Sequence, residues 1–401
     1  MLGRICRLGI ALATALGVSA ALADEAPESI RLGYAISLTG PYAPGAESTG
    51  WSQYKLWQKD VNDAGGIYLK KYDKKVPVEL VEYDDRSQID EMLKLVERLI
   101  IEDKVDFVLA PWGSAMNMAV APLLSKYKYP TIHLTASGEK IRGAAPRWPY
   151  SFWALTQPDY TAESMAGMLA RFKEEGKIDG RIAIMSVADQ LGIELNSAMV
   201  KAAEKHGIEV VYNKSYPLGV SDLSTQIREM AALEPDAFFG FSYPTDTFML
   251  TEQSIVLGFS PKMFYTAVGT PFAPFKGKFG DKVEGIMGFG GLDIAAPGLA
   301  EYWQRHIDMW DRPSESGAVG AYATMEILKN AIEAVGEVDR DKVREYIAGN
   351  AHDTIWGQIK FEAQMNSDPW TTGQWQNGEF VGILPADKPN AQPVLFPKPK
   401  F

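Results

Sequence analysis

Two spacings of apolar residues alternate along most of the chain. Short apolar runs are typical of buried strands, and apolar positions three or four residues apart are typical of amphipathic helices. The runs predict strands at 30–36, 76–84, 105–110 and 131–134, and the spacing predicts helices near 48–64, 92–100 and 115–127. A regular strand–helix series favours a parallel sheet that is covered on both faces.

The series is interrupted at 143–159, where three prolines predict a crossing between domains. It then restarts, with strands predicted at 181–189, 208–217 and 236–244 and helices near 190–206 and 221–233. Two series of one kind predict two similar doubly wound α/β domains. Helices near 298–310, 317–335 and 339–348 follow, and 353–385 has the turn residues and short apolar runs of antiparallel strands. The Pro-rich stretch 386–401 is expected to lie along the surface.

The first residues have the pattern of an export signal. Two arginines precede an apolar run at 8–18, and the small residues Ala21 and Ala23 match a signal peptidase site. We therefore predict that residues 1–23 are cleaved, and removing 23 of 401 residues leaves 378. The run is short for a membrane span, and no other stretch approaches about twenty apolar residues, so a soluble mature chain is expected.

Composition narrows the possible classes of function. The single cysteine, Cys6, lies inside the predicted signal, so the mature chain is expected to have no disulfide. The formal net charge is −11, and no basic patch is present, which argues against a nucleic-acid partner. The length suggests two domains of ordinary size.

Common catalytic, metal and cofactor signatures are absent from the sequence. Ser114 follows Trp112 and Gly113, which does not match the nucleophile elbow of a hydrolase. The glycine-rich stretch 285–291 lacks dinucleotide-binding spacing, and the four histidines are far apart without cysteine ligands. We therefore predict a protein that is not an enzyme and holds no metal or cofactor, with a secreted α/β hydrolase or isomerase as the least favoured alternative.

Polar and aromatic residues follow several predicted strands. In doubly wound sheets, ligands bind beyond the carboxyl ends of the strands. Ser114 starts a predicted helix after one strand, Thr135 and Ser137 follow the next, and Tyr42 and Tyr243 follow two others. Free amides at a helix start, with these hydroxyls, could bind an anion. The alternative for each serine or threonine is ordinary capping, and for Tyr243 it is a place in the core.

At these positions the sequence resembles the periplasmic solute-binding proteins of ABC importers, in the branch of the leucine/isoleucine/valine-binding protein. The similarity spans nearly the whole mature chain: SLTGPYAPG and NDAGGI (37–67), LAPWGSAMN and TIHLTAS (109–137), GDKVEGIMG (280–288) and DTIWGQIKF (353–361) match its landmarks in order and spacing. The resemblance implies two Rossmann-like lobes, joined by a hinge of three crossings, that close around a ligand. It divides the chain into an N-terminal lobe (24–152 plus 290–354), a C-terminal lobe (153–289 plus 355–385) and the tail 386–401.

The resemblance also assigns site residues. Ser114 and Ser137 match the family's carboxylate-binding hydroxyls, and Thr135 matches an adjoining main-chain contact. Tyr42 and Tyr243 match the positions of its aromatic walls. Two further positions depart from the family's pattern, and with Trp112 they complete the predicted site. Val268 stands where amino-acid binders carry an acidic partner for the ligand's ammonium, and Leu191 stands where an aromatic ring is frequent.

An anion site without an ammonium partner predicts a small organic carboxylate, because a buried unpaired ammonium is strongly disfavoured. Trp112 favours an apolar or aromatic body for that ligand. The resemblance implies a monomeric periplasmic protein that delivers its ligand to an inner-membrane ABC permease. Binding of a branched-chain or other amino acid stays open, through Asp189, Asp246 or a displaced acidic position, as does a role in sensing through a receptor.

Overall fold

The computed structural model describes residues 25–314 and 316–401, so the predicted export signal lies outside the described residues. The strands lie in two groups of sheets, which we call the first lobe and the second lobe. In the first lobe, one parallel sheet has the order β4-β1-β5 and a mixed sheet has the order β13-β14-β15-β7-β6. Its strands are β1 (Ile30–Ile36), β2 (Ile67–Leu69), β3 (Lys74–Val76), β4 (Val78–Asp84), β5 (Phe107–Val108), β6 (Thr131–His133), β7 (Ser151–Trp153), β13 (Ala351–Thr354), β14 (Gly357–Glu362) and β15 (Met365–Asn366), with β2 and β3 forming a separate pair.

The second lobe is built on one seven-stranded sheet of order β17-β16-β12-β11-β10-β8-β9. Its strands are β8 (Arg181–Val187), β9 (Glu209–Tyr216), β10 (Ala237–Phe241), β11 (Met263–Thr266), β12 (Met287–Phe289), β16 (Thr372–Gln376) and β17 (Glu379–Leu384). Strands β8 to β12 pair in parallel, whereas β16 and β17 are antiparallel. Strands β8, β10, β11 and β12 are almost entirely buried, as expected for strands covered on both faces, whereas half of the residues of the edge strand β9 are exposed.

Helices alternate with the parallel strands in both lobes. They are α1 (Ala43–Ala46), α2 (Ser52–Asp63), α3 (Ile89–Ile101), α4 (Ser114–Tyr127), α5 (Glu139–Ala144), α6 (Pro158–Glu174), α7 (Gln190–Lys205), α8 (Ser224–Ala231), α9 (Pro244–Leu257), α10 (Ala273–Phe279), α11 (Leu299–Trp310), α12 (Ser316–Val335) and α13 (Arg340–Gly349). The helix expected near 48–64 starts later, because a π-helical turn with a kink at Thr49 and Gly50 precedes α2. Among the described residues, no helix combines the length and apolar character needed to cross a bilayer.

The chain crosses between the lobes three times. It leaves the first lobe after β7 and returns after β12, since α11 is held to the first lobe by a hydrogen bond from Tyr302 Oη to Gln53 Oε1 (2.7 Å). The last crossing lies between β15 and β16, which is later than the boundary predicted after Thr354. The reason is that β14 pairs with β15 and β15 pairs with β7, a long-range pairing that the local pattern of turns does not specify.

The C-terminal tail packs on the second lobe. The ring of Phe396 lies 4.3 Å from that of Phe172, and the ring of Phe401 lies 5.2 Å from that of Phe264. Burial of Lys398 between these contacts lowers the pKa of its ammonium to about 8. The tail is therefore bound to the lobe surface by specific apolar contacts.

Candidate functional site

The loops that follow the parallel strands of both lobes face each other across a cavity. This cavity, the ligand cavity, has about 690 Å³ of space outside the protein atoms, open solvent included. The first lobe and the crossing segments supply Thr49, Trp112, Gly113, Ser114, Leu134, Thr135, Leu155, Gly291, Gly317 and Trp356, and the second lobe supplies Leu191, Tyr243, Val268, Pro271, Phe272, Phe289 and Gly290. The lining is mainly apolar, and its hydroxyl groups other than that of Tyr243 lie on the first lobe.

The start of helix α4 is the polar part of the lining. Gly113 is its N-cap residue with φ 97° and ψ 148°, and no side chain caps the helix at this position. The Gly113 amide donates to Thr135 Oγ1 (3.1 Å), while Ser114 Oγ accepts from the Ser137 amide (3.1 Å). The amides of a first helical turn have no partner inside the helix, and they carry partial positive charge. This arrangement can bind one negatively charged oxygen pair without a cationic side chain.

A buried network of polar contacts holds the start of helix α4 in place. Asn117 Nδ2 donates to the carbonyl oxygens of Pro111 and Gly113, both at 2.9 Å. The Nδ1 atom of His133 lies 2.6 Å from Asn117 Oδ1, and its ring stacks on Trp153 with centroids 4.3 Å apart. Complete burial lowers the pKa of His133 to about 3, so the imidazole is neutral near pH 7 and fixes the amide orientation of Asn117. The sequence analysis did not predict this network, because histidines that are scattered along the sequence do not indicate which residues they contact.

Trp112 is fixed from two sides. Its Nε1 donates to Thr49 Oγ1 (2.8 Å), and that hydroxyl donates to the Gly45 carbonyl (3.0 Å). A Cβ atom on Gly45 would lie 2.1 Å from Trp112 Cζ2, so only glycine leaves room for the indole. The Trp112 ring therefore has one position, in which it forms a rigid apolar wall of the cavity.

The second lobe contributes an apolar wall. Leu191, Tyr243, Val268 and Phe272 face the cavity, and the main chain of Val268 is hydrogen bonded inside its own lobe, to Ser242 O (3.0 Å) and Thr247 Oγ1 (2.5 Å). No acidic side chain is among the described residues that line the cavity. Within residues 25–314 and 316–401, no three His, Cys, Asp or Glu side chains gather to hold a metal ion.

Two acidic residues lie close to the cavity but outside its lining. Asp189 Oδ2 accepts from Tyr42 Oη (3.1 Å) and Tyr243 Oη (2.8 Å). Asp189 and Tyr243 belong to the second lobe and Tyr42 to the first, so the bond from Tyr42 links the two lobes. Asp246, in the first turn of α9, is fully buried, and no described side chain donates a hydrogen bond to its carboxyl oxygens. Burial raises the pKa of Asp246 to about 6.

The structure brings most of the predicted site residues together. Trp112, Ser114, Thr135, Leu191, Tyr243 and Val268 line the cavity. Ser137 lies behind Ser114 and donates its hydroxyl to the Thr156 carbonyl (2.8 Å), so its side chain supports the helix start. Tyr42 packs behind Trp112 and Tyr243, with ring centroids 5.7 and 5.4 Å away.

Several lining residues were not predicted from the sequence. They are Thr49, Leu134, Leu155, Pro271, Phe272, Phe289 and Trp356. Phe289 ends β12, so the rule that ligands bind at the carboxyl ends of strands could have found it. Thr49 lies in the π-helical turn before α2, and the others come from loops and crossing segments.

The sequence matches a family model described as periplasmic binding protein over residues 29–379. The chain is 23% identical to "Leu/Ile/Val-binding protein homolog 7" of Brucella suis biovar 1 (strain 1330) over 392 residues, covering 92% of this chain and 96% of that protein.

Solved structures share the fold. One is an ABC transporter solute-binding protein from R. palustris in complex with benzoate (TM-score 0.75, 18% identity, 88% of this chain and 95% of that chain). Another is the branched-chain amino acid transporter substrate-binding protein LivJ from Streptococcus pneumoniae in complex with isoleucine (TM-score 0.73, 18% identity, 88% and 99%). These comparisons confirm the predicted resemblance and the fold of two α/β lobes.

Proposed function

Because the chain belongs to the periplasmic binding protein family, we propose that it captures a small organic carboxylate with an apolar or aromatic body and delivers it to an ABC permease. The family and the fold are those of substrate-binding proteins, not of enzymes. The observation that carries the proposal is the pairing of an uncapped helix start on one wall with an entirely non-acidic opposite wall.

The helix start of α4 supports the carboxylate. A carboxylate placed at the amides after Gly113 gains charge-assisted hydrogen bonds and the favourable end of the helix dipole. Thr135 Oγ1 accepts from the Gly113 amide, and Ser114 Oγ bonds both the amide and the carbonyl oxygen of Ser137, so the helix start is fixed to the loop after β6. The net negative charge of the protein does not exclude such a site, since these amides act at hydrogen-bonding distance.

The second lobe disfavours an ammonium group. A buried ammonium needs an anionic partner, and Val268 supplies only an apolar surface at the cavity wall. Asp189 is already bound by two tyrosine hydroxyls, and Asp246 lies outside the lining. Of the ligands in the two structural neighbours, benzoate has no ammonium group and isoleucine has one, so a wall without an acidic residue favours benzoate.

Transport follows from closure of the lobes in this proposal. A ligand that contacts both walls binds the closed form more tightly, so it shifts the population toward that form. The closed form of a monomer, exported to the periplasm through the signal at 1–23, would be what the permease recognises.

The test uses ligands that differ only in the ammonium group. Isothermal titration calorimetry compares 4-methylpentanoate with leucine, which carries the same side chain plus an α-ammonium, and adds benzoate as the aromatic probe. We expect micromolar or tighter binding of at least one carboxylate and leucine binding weaker by about a hundredfold or more, the cost of an unpaired buried charge. Leucine binding as tight as that of 4-methylpentanoate would overturn the assignment. Trp112→Ala should weaken benzoate binding, because it removes the apolar wall.

A further inference from the structure

A second cavity adjoins the ligand cavity. It is a groove between α11 of the first lobe and the region of α10 and β17 in the second lobe, with about 1210 Å³ outside the protein atoms, open solvent included. Its walls are mainly apolar and include Leu292, Trp303, Ile307 and Phe380. Ile307 is 40% exposed and lines this groove.

Both cavities share the same two wall segments. Pro271 lines both, Phe272 lines the ligand cavity, and Ala273 lines the groove. The second segment behaves in the same way, since 289–291 lines the ligand cavity and Leu292 and Ile294 line the groove. The groove and the ligand cavity therefore adjoin at these two segments.

We propose that the groove holds the distal part of the same ligand, so the protein selects monocarboxylates with an extended apolar body, such as a phenyl ring on an alkyl chain. This inference rests on the proposed function, because it places the carboxylate at the start of α4. The body then passes between Pro271 and the 289–292 segment and reaches Trp303 and Ile307 on α11. Because α11 belongs to the first lobe and Phe380 to the second, the distal part also contacts both lobes and strengthens closure.

Gly277 provides a way to fill the groove without disturbing the fold. It lies in α10 on the groove wall, its φ is not in the left-handed region, and a Cβ atom there would meet nothing within 4 Å. Gly143 in α5 is matched to it, being exposed and helical with equally open surroundings, and it lines neither cavity. Gly277→Trp and Gly143→Trp are thus a test variant and its control.

The experiment measures dissociation constants by calorimetry for benzoate, 4-phenylbutanoate and 6-phenylhexanoate. In the unaltered protein, affinity should rise along this series by about tenfold or more in total, because each buried methylene adds to binding. Gly277→Trp should remove about tenfold of 6-phenylhexanoate affinity while benzoate stays within about twofold, and Gly143→Trp should change neither. Ile307→Ser, at an exposed position, should weaken the longest ligand in the same selective way.

Two results would overturn the inference. In the first, 6-phenylhexanoate binds no more tightly than benzoate. In the second, Gly277→Trp weakens all three ligands equally or none of them. If no monocarboxylate binds the unaltered protein while leucine does, the proposed function fails as well, and this outcome is distinct from benzoate binding without a chain-length effect.

Discussion

The hydrogen bond between Tyr42 and Asp189 links the two lobes beside the ligand cavity. Tyr42 follows β1 of the first lobe, whereas Asp189 follows β8 of the second, and their side chains meet at 3.1 Å. Tyr243 donates to the same carboxylate oxygen at 2.8 Å, but it belongs to the second lobe, as Asp189 does. Opening of the lobes therefore breaks the first bond and leaves the second intact.

Tyr42→Phe removes this bond and keeps the ring that packs on Trp112. Hydrogen bonds to charged groups contribute about 1.5–3 kcal/mol. The low end of this range applies to the bond from Tyr42, because it is longer than the bond from Tyr243 and because Asp189 is only half-buried. About 1.5 kcal/mol of closed-form stability corresponds to about a tenfold loss of ligand affinity, seen mainly as faster dissociation.

The assay is stopped-flow dissociation together with calorimetry, using whichever carboxylate binds the unaltered protein. Tyr68→Phe is the control: it removes a hydrogen bond to Asp73 Oδ1 (2.7 Å) within the first lobe, at a residue that does not line the cavity, so affinity should change by no more than about threefold. Unchanged affinity and dissociation rate in Tyr42→Phe would refute the reasoning, as would equal losses in the two variants.

Two further predictions concern stability and the indole wall. Burial raises the pKa of Asp246 to about 6, above the ordinary value of a carboxyl, so the protein is more stable while this carboxyl is protonated, and that stability is lost as pH rises through about 6. Asp246→Asn should therefore raise Tm more at pH 7.5 than at pH 4 in thermal melts, and an equal change at both pH values would contradict this. Gly45→Ala places a Cβ against Trp112 and should cost about 1–3 kcal/mol in chemical denaturation and weaken benzoate binding. Gly143→Ala, in open surroundings, should do neither.

Local patterns in the sequence were sufficient for the alternation of strands and helices in both lobes, but they left out β7 and the long helix α6. Buried parallel strands leave continuous apolar runs and amphipathic helices leave a three-to-four residue spacing, so β1, β4, β8 and β10 were predicted close to where they lie. The start of α4 at Ser114 was also predicted, because it depends only on the residues next to it. Family resemblance added Val268, which periodicity alone would not have singled out.

Contacts between distant residues were decided only by the tertiary structure. The hydrogen bond from Tyr42 joins residues 147 positions apart, and it turns a predicted cavity wall into a link between the lobes. Because β15 pairs with β7, the last crossing lies later in the sequence than predicted. The groove forms where α11 lies beside the second lobe. Such contacts depend on how the two folded lobes pack against each other. The local sequence around either residue of a contact does not specify its distant partner. The sequence by itself therefore determined many of the elements and the helix start at Ser114, and the assembled lobes decided which side chains line the cavity.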